Sequence, residues 1–362
     1  MILTDVNQKP DLRVLIVRLG AMGDVICTLP ALTALREALP QALITWVIEP
    51  AAASLLSDHP LLDHVIVMPR RKSYSRLRDL GRVVKGLLAS RKQLGAGRFD
   101  VAIDFQGNLR SGLVTWMSGA SVRIGFGRGA SREFNSLFIN RPVTLPPETM
   151  HRVEQRLHLL KGLDICAGTV PAPVIPTDES AKRRIVECLE ERGLGGLWLA
   201  AIHIGTSRFG EYKQWPRENY VRLIPMLVSE FGVEVVLTWG PGERDAAELI
   251  ASETTGAVVG PETKSLVELA ELYKQCRLFI GCDSGPMHLA SAVGIPVVGM
   301  FGPKDPRVYG PYFGPRRIVE IDLPCRPCKK RRCENARCMS NIAPEQVLEA
   351  SRELLADQSI NC

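Results

Sequence analysis

Twice along this chain, short runs of β-branched apolar residues alternate with segments of helical length, and in each half one such run empties into a glycine-containing loop. Val14-Leu15-Ile16-Val17 leads into Arg18-Leu19-Gly20-Ala21-Met22-Gly23-Asp24, and Leu278-Phe279-Ile280 leads into Gly281-Cys282-Asp283-Ser284-Gly285-Pro286-Met287-His288. Parallel strands buried on both faces read as such runs, and their crossovers are long enough to hold a helix. The chain is therefore predicted to be α/β, built of βαβ units. Each glycine loop falls at the carboxyl edge of a parallel sheet, where backbone N–H groups and a carboxylate can meet a ligand.

Further strands are predicted at residues 43–48, 65–68 and 101–104, then at 197–204, 233–237, 257–259 and 297–300. A helix is expected over 25–39, kinked or restarted at Pro30, and others over 217–231 and 287–293. With 362 residues there is material for two domains. Pro171-Ala172-Pro173-Val174-Ile175-Pro176 reads as an extended linker. The expected division is a first domain over 1–170 and a second over 171–343, with a final helix at about 344–356 able to pack back on the first.

No apolar stretch reaches the roughly 18 residues of a membrane helix. Met1 to Pro10 has neither the basic nor the apolar region of a signal peptide, so a cytoplasmic location is expected. The net charge of +6 is unevenly spread: ten Lys or Arg stand against Asp79 alone between Arg70 and Arg98. Such a run suits an anionic membrane surface, a polyanionic substrate or nucleic acid, and equally a solvated helix face. Of ten cysteines, Cys27, Cys166, Cys188, Cys276 and Cys282 read as small buried residues. Cys325, Cys328, Cys333 and Cys338, spaced C-x2-C-x4-C-x4-C, can hold a structural metal or pair as disulfides.

The loop at Gly20 lacks the full dinucleotide fingerprint, although Glu49 stands where a ribose-binding acid would. Asp24 can be a functional carboxylate or a helix N-cap. After the strand ending at His203, Thr206 and Ser207 offer hydroxyls to phosphate oxygens, and Lys213 adds a compact positive charge, unless it is an ordinary surface lysine. Asp283 or Ser284 caps the next helix, whose terminus also presents N–H groups to an anion. His288, one turn in, is a hydrogen-bonding support for that site or a core histidine.

Four segments, in this order and spacing, resemble the ADP-heptose:lipopolysaccharide heptosyltransferases, glycosyltransferase family 9. They are Val17–Asp24, Lys213-Gln214-Trp215-Pro216, Asp283-Ser284-Gly285-Pro286-Met287-His288 and Phe301-Gly302-Pro303-Lys304-Asp305-Pro306. Arg70-Arg71-Lys72, Asp104-Phe105-Gln106-Gly107 and Phe138-Ile139-Asn140-Arg141 are most similar to the type I branch, which adds the first heptose to Kdo. Ser284 stands where that branch carries Thr, and the four-cysteine segment belongs to other branches. The resemblance implies a GT-B fold, two Rossmann-like domains facing a central cleft, with acceptor on the first and nucleotide sugar on the second. It implies inverting transfer without a metal or cofactor. Asp24 takes the place of the catalytic carboxylate and Lys213 that of the phosphate-binding lysine. Thr206, Ser207, Glu243, Asp283, Ser284, Gly285 and His288 take the nucleotide-sugar loops, and Gly23, Arg70, Arg71, Lys72 and Gln106 the acceptor side. The implied partners are ADP-heptose, a Kdo-lipid A or inner-core lipopolysaccharide acceptor and the inner face of the inner membrane, with no nucleic acid. Alternatives are another donor or acceptor on the same fold, such as a type II enzyme, or a catalytically silent nucleotide-sugar-binding scaffold.

Overall fold

The apolar runs are strands, and every pairing among them is parallel. In the computed structural model, which describes residues 9, 11–68, 94–206, 210–328, 333 and 335–359, the chain forms two units, Met1–Pro176 and Thr177–Cys362. The first contains β1 (Arg13–Val17), β2 (Leu43–Ile48), β3 (His64–Val67), β4 (Val101–Asp104), β5 (Val122–Phe126) and β6 (Arg141–Val143), in the spatial order β3-β2-β1-β4-β5-β6. The second contains β7 (Leu199–His203), β8 (Glu234–Thr238), β9 (Ala257–Val259), β10 (Leu278–Cys282), β11 (Val297–Phe301) and β12 (Arg316–Glu320), in the order β12-β11-β10-β7-β8-β9. Counted within its own unit, each sheet runs 3-2-1-4-5-6, the doubly wound Rossmann order. Its switch point, where the strand order reverses, lies between the first and fourth strands.

Register fixes what lies at those points. Val17, the last residue of β1, is beside Val47 and Asp104, and Gly281 of β10 is beside His203 of β7. Both faces are buried as parallel sheets require: β1, β4, β7 and β10 expose almost nothing.

Several expectations change in detail. The first crossover is two helices, Met22–Ile26 and Leu29–Ala38, with Pro30 in the opening turn of the second. β5, β6 and β12 do not read as apolar runs because arginine interrupts each of them and β6, only three residues long, contains a proline suited to an edge. The final helix runs Pro344–Ser359. Val347, Ala350 and Leu354 are buried in the second unit's core with Leu223, Leu227 and Met300. Cys27, Cys276 and Cys282 are buried as expected, whereas Cys166 is exposed and Cys188 half-buried.

Candidate functional site

The first unit gathers its polar groups where β1 and β4 end. The loop after β1 is short, so Met22 already begins a helix, and Gly23 and Asp24 lie in its first turn. Ala21, not Asp24, is the N-cap. The Asp24 carboxylate is instead held between two arginines. Arg18 Nη2 donates to Oδ2, and Arg156 Nη2 donates to Oδ1 at 3.3 Å. The Arg18 and Arg156 side chains are 4% and 1% exposed, whereas Asp24 is 33% exposed. The ion pair therefore has its cations inside and its carboxylate toward solvent.

Both arginines are locked from behind. Arg18 Nη1 donates to the Phe105 carbonyl at 3.2 Å, and the Trp46 indole donates to the Arg18 carbonyl at 3.0 Å. Arg156 comes from the helix Arg152–Leu159 and lies 5.2 Å from the centre of the Phe126 ring. Burial pulls the Arg156 guanidinium down to about 9, with Arg18 and Arg152 adding like charge and Asp24 opposing. Arg18 is lowered in the same way.

The loop after β4 is tied down by Asp104. Its carboxylate is fully buried and accepts the N–H groups of Gln106 and Gly107, the Ser111 hydroxyl and the Asn135 amide at 2.7–3.0 Å. Burial still raises its pKa, against those four donors. Gln106 Oε1 accepts the Leu19 N–H at 2.9 Å, which ties this loop to the one bearing Asp24. Glu49 is paired with Arg110. Sequence reading quoted Arg18 without a role and passed over Arg156 entirely. The signal was present: on its helix Arg156 sits in the apolar stripe of Val153, Leu157 and Leu160, all buried.

In the second unit, the loops after β7, β8 and β10 hold the groups expected to face an anion. Lys213, on the 3₁₀ turn Glu211–Lys213, reaches Asp283 Oδ2 at 2.6 Å. The neighbouring Trp215 is buried, donates to the Ile342 carbonyl at 2.9 Å and meets the Tyr220 ring edge-on, which fixes the start of the helix Arg217–Phe231. Ser284 is the N-cap of the helix Gly285–Ala292, yet its hydroxyl makes no capping hydrogen bond. Ser284 Oγ and Thr206 Oγ1 are buried and have no hydrogen-bond partner among the described residues. Such hydroxyls are costly unless something completes them. Gly285 begins that helix and His288 is half-buried within it.

Glu243 bridges two loops. Its carboxylate accepts the Gly240 N–H at 2.7 Å and the Thr206 N–H, and burial raises its pKa. His203 Nε2 lies 4.0 Å away, while Nδ1 meets the Thr238 hydroxyl at 3.1 Å. Burial drives His203 down to about 4, so it is neutral near pH 7.

Ser207, Arg70, Arg71 and Lys72 lie outside the described residues. Cys325 and Cys333 are exposed and Cys328 and Cys338 half-buried, and among the described residues no group of three His, Cys, Asp or Glu side chains is placed to hold a metal. No described helix is long and apolar enough to cross a membrane.

Two doubly wound sheets of one order in a single chain, with polar loops at both switch points, are the architecture of the GT-B glycosyltransferases. Residues 87–339 match glycosyltransferase family 9 (heptosyltransferase). The chain belongs to that family and is a glycosyltransferase. It is 32% identical to lipopolysaccharide heptosyltransferase 1 of Pseudomonas aeruginosa over 93% of each chain. Among solved structures it is similar to the family 9 glycosyltransferase of Veillonella parvula, with a TM-score of 0.80 and 25% identity over 96% of this chain and 97% of that one. The E. coli heptosyltransferase WaaC with ADP has a TM-score of 0.70 and 26% identity over 94% and 97%.

Proposed function

We propose that this protein transfers heptose from ADP-heptose to the Kdo of a lipid A-linked inner-core acceptor, as a type I lipopolysaccharide heptosyltransferase. Asp24 takes the proton of the acceptor hydroxyl as that oxygen bonds to the anomeric carbon. The bond from that carbon to the diphosphate oxygen breaks, ADP leaves, and the configuration inverts. A carboxylate is a weak base, but it can accept the proton late, as positive charge builds on the sugar.

Charge develops on the departing diphosphate, and this chain answers it with its own groups and no required metal. Lys213 supplies a cation, the helix Gly285–Ala292 its positive end and first N–H groups, and Thr206 and Ser284 their hydroxyls. Asp283 holds the Lys213 ammonium in place, and Glu243 and His288 support the donor loops. Gly23, Gln106, Arg70, Arg71 and Lys72 attend the acceptor, whose carboxylates and phosphates suit basic side chains. The protein works at the inner face of the inner membrane as a peripheral, cytoplasmic enzyme.

The observation that carries this reading is the pair of buried hydroxyls on Thr206 and Ser284, without hydrogen-bond partners among the described residues, in the loops after the adjacent strands β7 and β10, with Lys213 on the neighbouring Asp283. Oxygen atoms of a diphosphate complete both. The test is a substrate screen. Purified protein, in excess EDTA, is offered ADP-, GDP- and UDP-sugars with Kdo-lipid A or with an acceptor already carrying one heptose, and product masses are read. One heptose added to Kdo-lipid A from ADP-heptose alone is the expected result. Product only on the heptosylated acceptor contradicts the type I assignment, and product only from another nucleotide contradicts the donor.

A further inference from the structure

Arg156 occupies a place that packing alone would not give to an arginine. On the helix Arg152–Leu159 it falls in the buried stripe with Val153 and Leu157, and its side chain is 1% exposed. A well-packed apolar side chain there is usually as stable or more so, because burying a guanidinium costs several kcal/mol. The cost is not recovered through its own hydrogen bonds: Arg156 Nε and Nη1, and Arg18 Nε, have no partner among the described residues. What the guanidinium does reach is one oxygen of Asp24, while Arg18 holds the other.

The charges facing Asp24 come from every element around it. Arg18 leaves the end of β1. Arg156 comes from the helix Arg152–Leu159, and Arg152, four residues before it, adds its charge to Arg18 and Arg156. The Cys27 thiol, next on Asp24's own turn, is pushed up to about 12 by burial and stays neutral. Asp104 acts on Arg18 from β4 and is occupied by its four donors. Asp24 thus sits in an excess of positive charge, its two oxygens gripped by groups that cannot turn away.

We infer that Arg156 is a positioning residue for Asp24: with Arg18 it fixes the direction of the carboxylate and keeps it ionised until the acceptor's proton arrives. This rests on the reading of Asp24 as the base. Holding both oxygens fixes the carboxylate's direction, so the acceptor hydroxyl meets it in the same geometry in each turnover. Removing the Arg156 charge favours the protonated acid, so activity is then lost at higher pH as the solution is acidified.

The experiment compares Arg156→Met, Arg156→Lys and Asp24→Asn in the full chain by melting temperature, ADP affinity and kcat against pH at saturating donor. Arg156→Met is expected to lower kcat roughly 10- to 100-fold near pH 8, with ADP affinity unchanged and the acid limb of the profile moved to higher pH. Arg156→Lys keeps the charge and loses the fork, so its acid limb stays with the wild type while kcat falls less. A folded Arg156→Met protein with the wild-type acid limb overturns the inference. If Arg156→Met does not fold, the lysine variant decides, and an acid limb moved as far as charge loss would move it overturns the inference. Asp24→Asn with wild-type turnover removes the base and this inference together. Asp24→Asn inactive beside an unshifted Arg156→Met removes the inference alone.

Discussion

The carboxylate of Glu243 lies against the backbone of Gly205, in the space that any side chain at position 205 would fill. From there it accepts the N–H groups of Gly240 and Thr206 and so joins the loops after β7 and β8. Gly205→Ala would drive the carboxylate out and leave both N–H groups without it. A loss of about 1–3 kcal/mol in unfolding free energy is expected, the cost of unpairing buried backbone groups. Glu243→Ala should cost a similar amount. Chemical denaturation of the two single variants and the double should show losses well short of additive. Additive losses would mean that the two residues do not share this contact.

Ser284 and Thr206 give a contrast between stability and binding. Because their buried hydroxyls lack partners among the described residues, Ser284→Ala and Thr206→Val should leave the melting temperature unchanged or slightly raised. Each should weaken ADP binding by about 1 kcal/mol, roughly fivefold, the ordinary value of one hydrogen bond. Calorimetry on both variants checks this. Wild-type affinity for ADP in both would remove the hydroxyls from the phosphate site.

Lys213→Ala removes the diphosphate's counter-charge and leaves Asp283 facing it alone. ADP affinity should fall by more than in either hydroxyl variant, since a hydrogen bond to a charged group contributes about 1.5–3 kcal/mol. Adenosine affinity should be unaffected. Equal losses for ADP and adenosine would show that Lys213 acts on the fold and not on phosphate.

The doubly wound fold was legible because strands buried on both faces announce themselves as apolar runs, and Gly20 and Gly281 marked two sheet edges. Strands whose apolar run is broken by arginine or proline were not. Arg316–Glu320 carries three charges in five residues, and Arg141–Val143 contains Pro142. Asp24, Lys213 and Ser284 were readable through their motif spacing. Arg156 was not, because its partnership with Asp24 spans 132 positions in the chain and arises only when the helix after β6 packs against the helix Leu29–Ala38 and β5.

His203 makes stability depend on pH. Its folded value of about 4 lies below the ordinary 6.5, so between these values the unfolded chain binds the proton and the folded chain does not. Unfolding free energy should therefore fall as pH drops through that window, by on the order of 3 kcal/mol from this group. Denaturation from pH 7 to pH 4 should give a shallower decline for His203→Gln than for the wild type. Parallel curves would mean that the buried imidazole takes up its proton without cost.

The most direct test of the account is the turnover of Asp24→Asn with ADP-heptose and Kdo-lipid A, set beside its melting temperature and ADP affinity. The amide keeps the shape but cannot accept the acceptor's proton as a carboxylate does. Turnover should fall at least about 100-fold, the scale of a lost general base, while ADP binding is retained and the protein stays folded. Near-normal turnover in a folded Asp24→Asn protein would contradict the account.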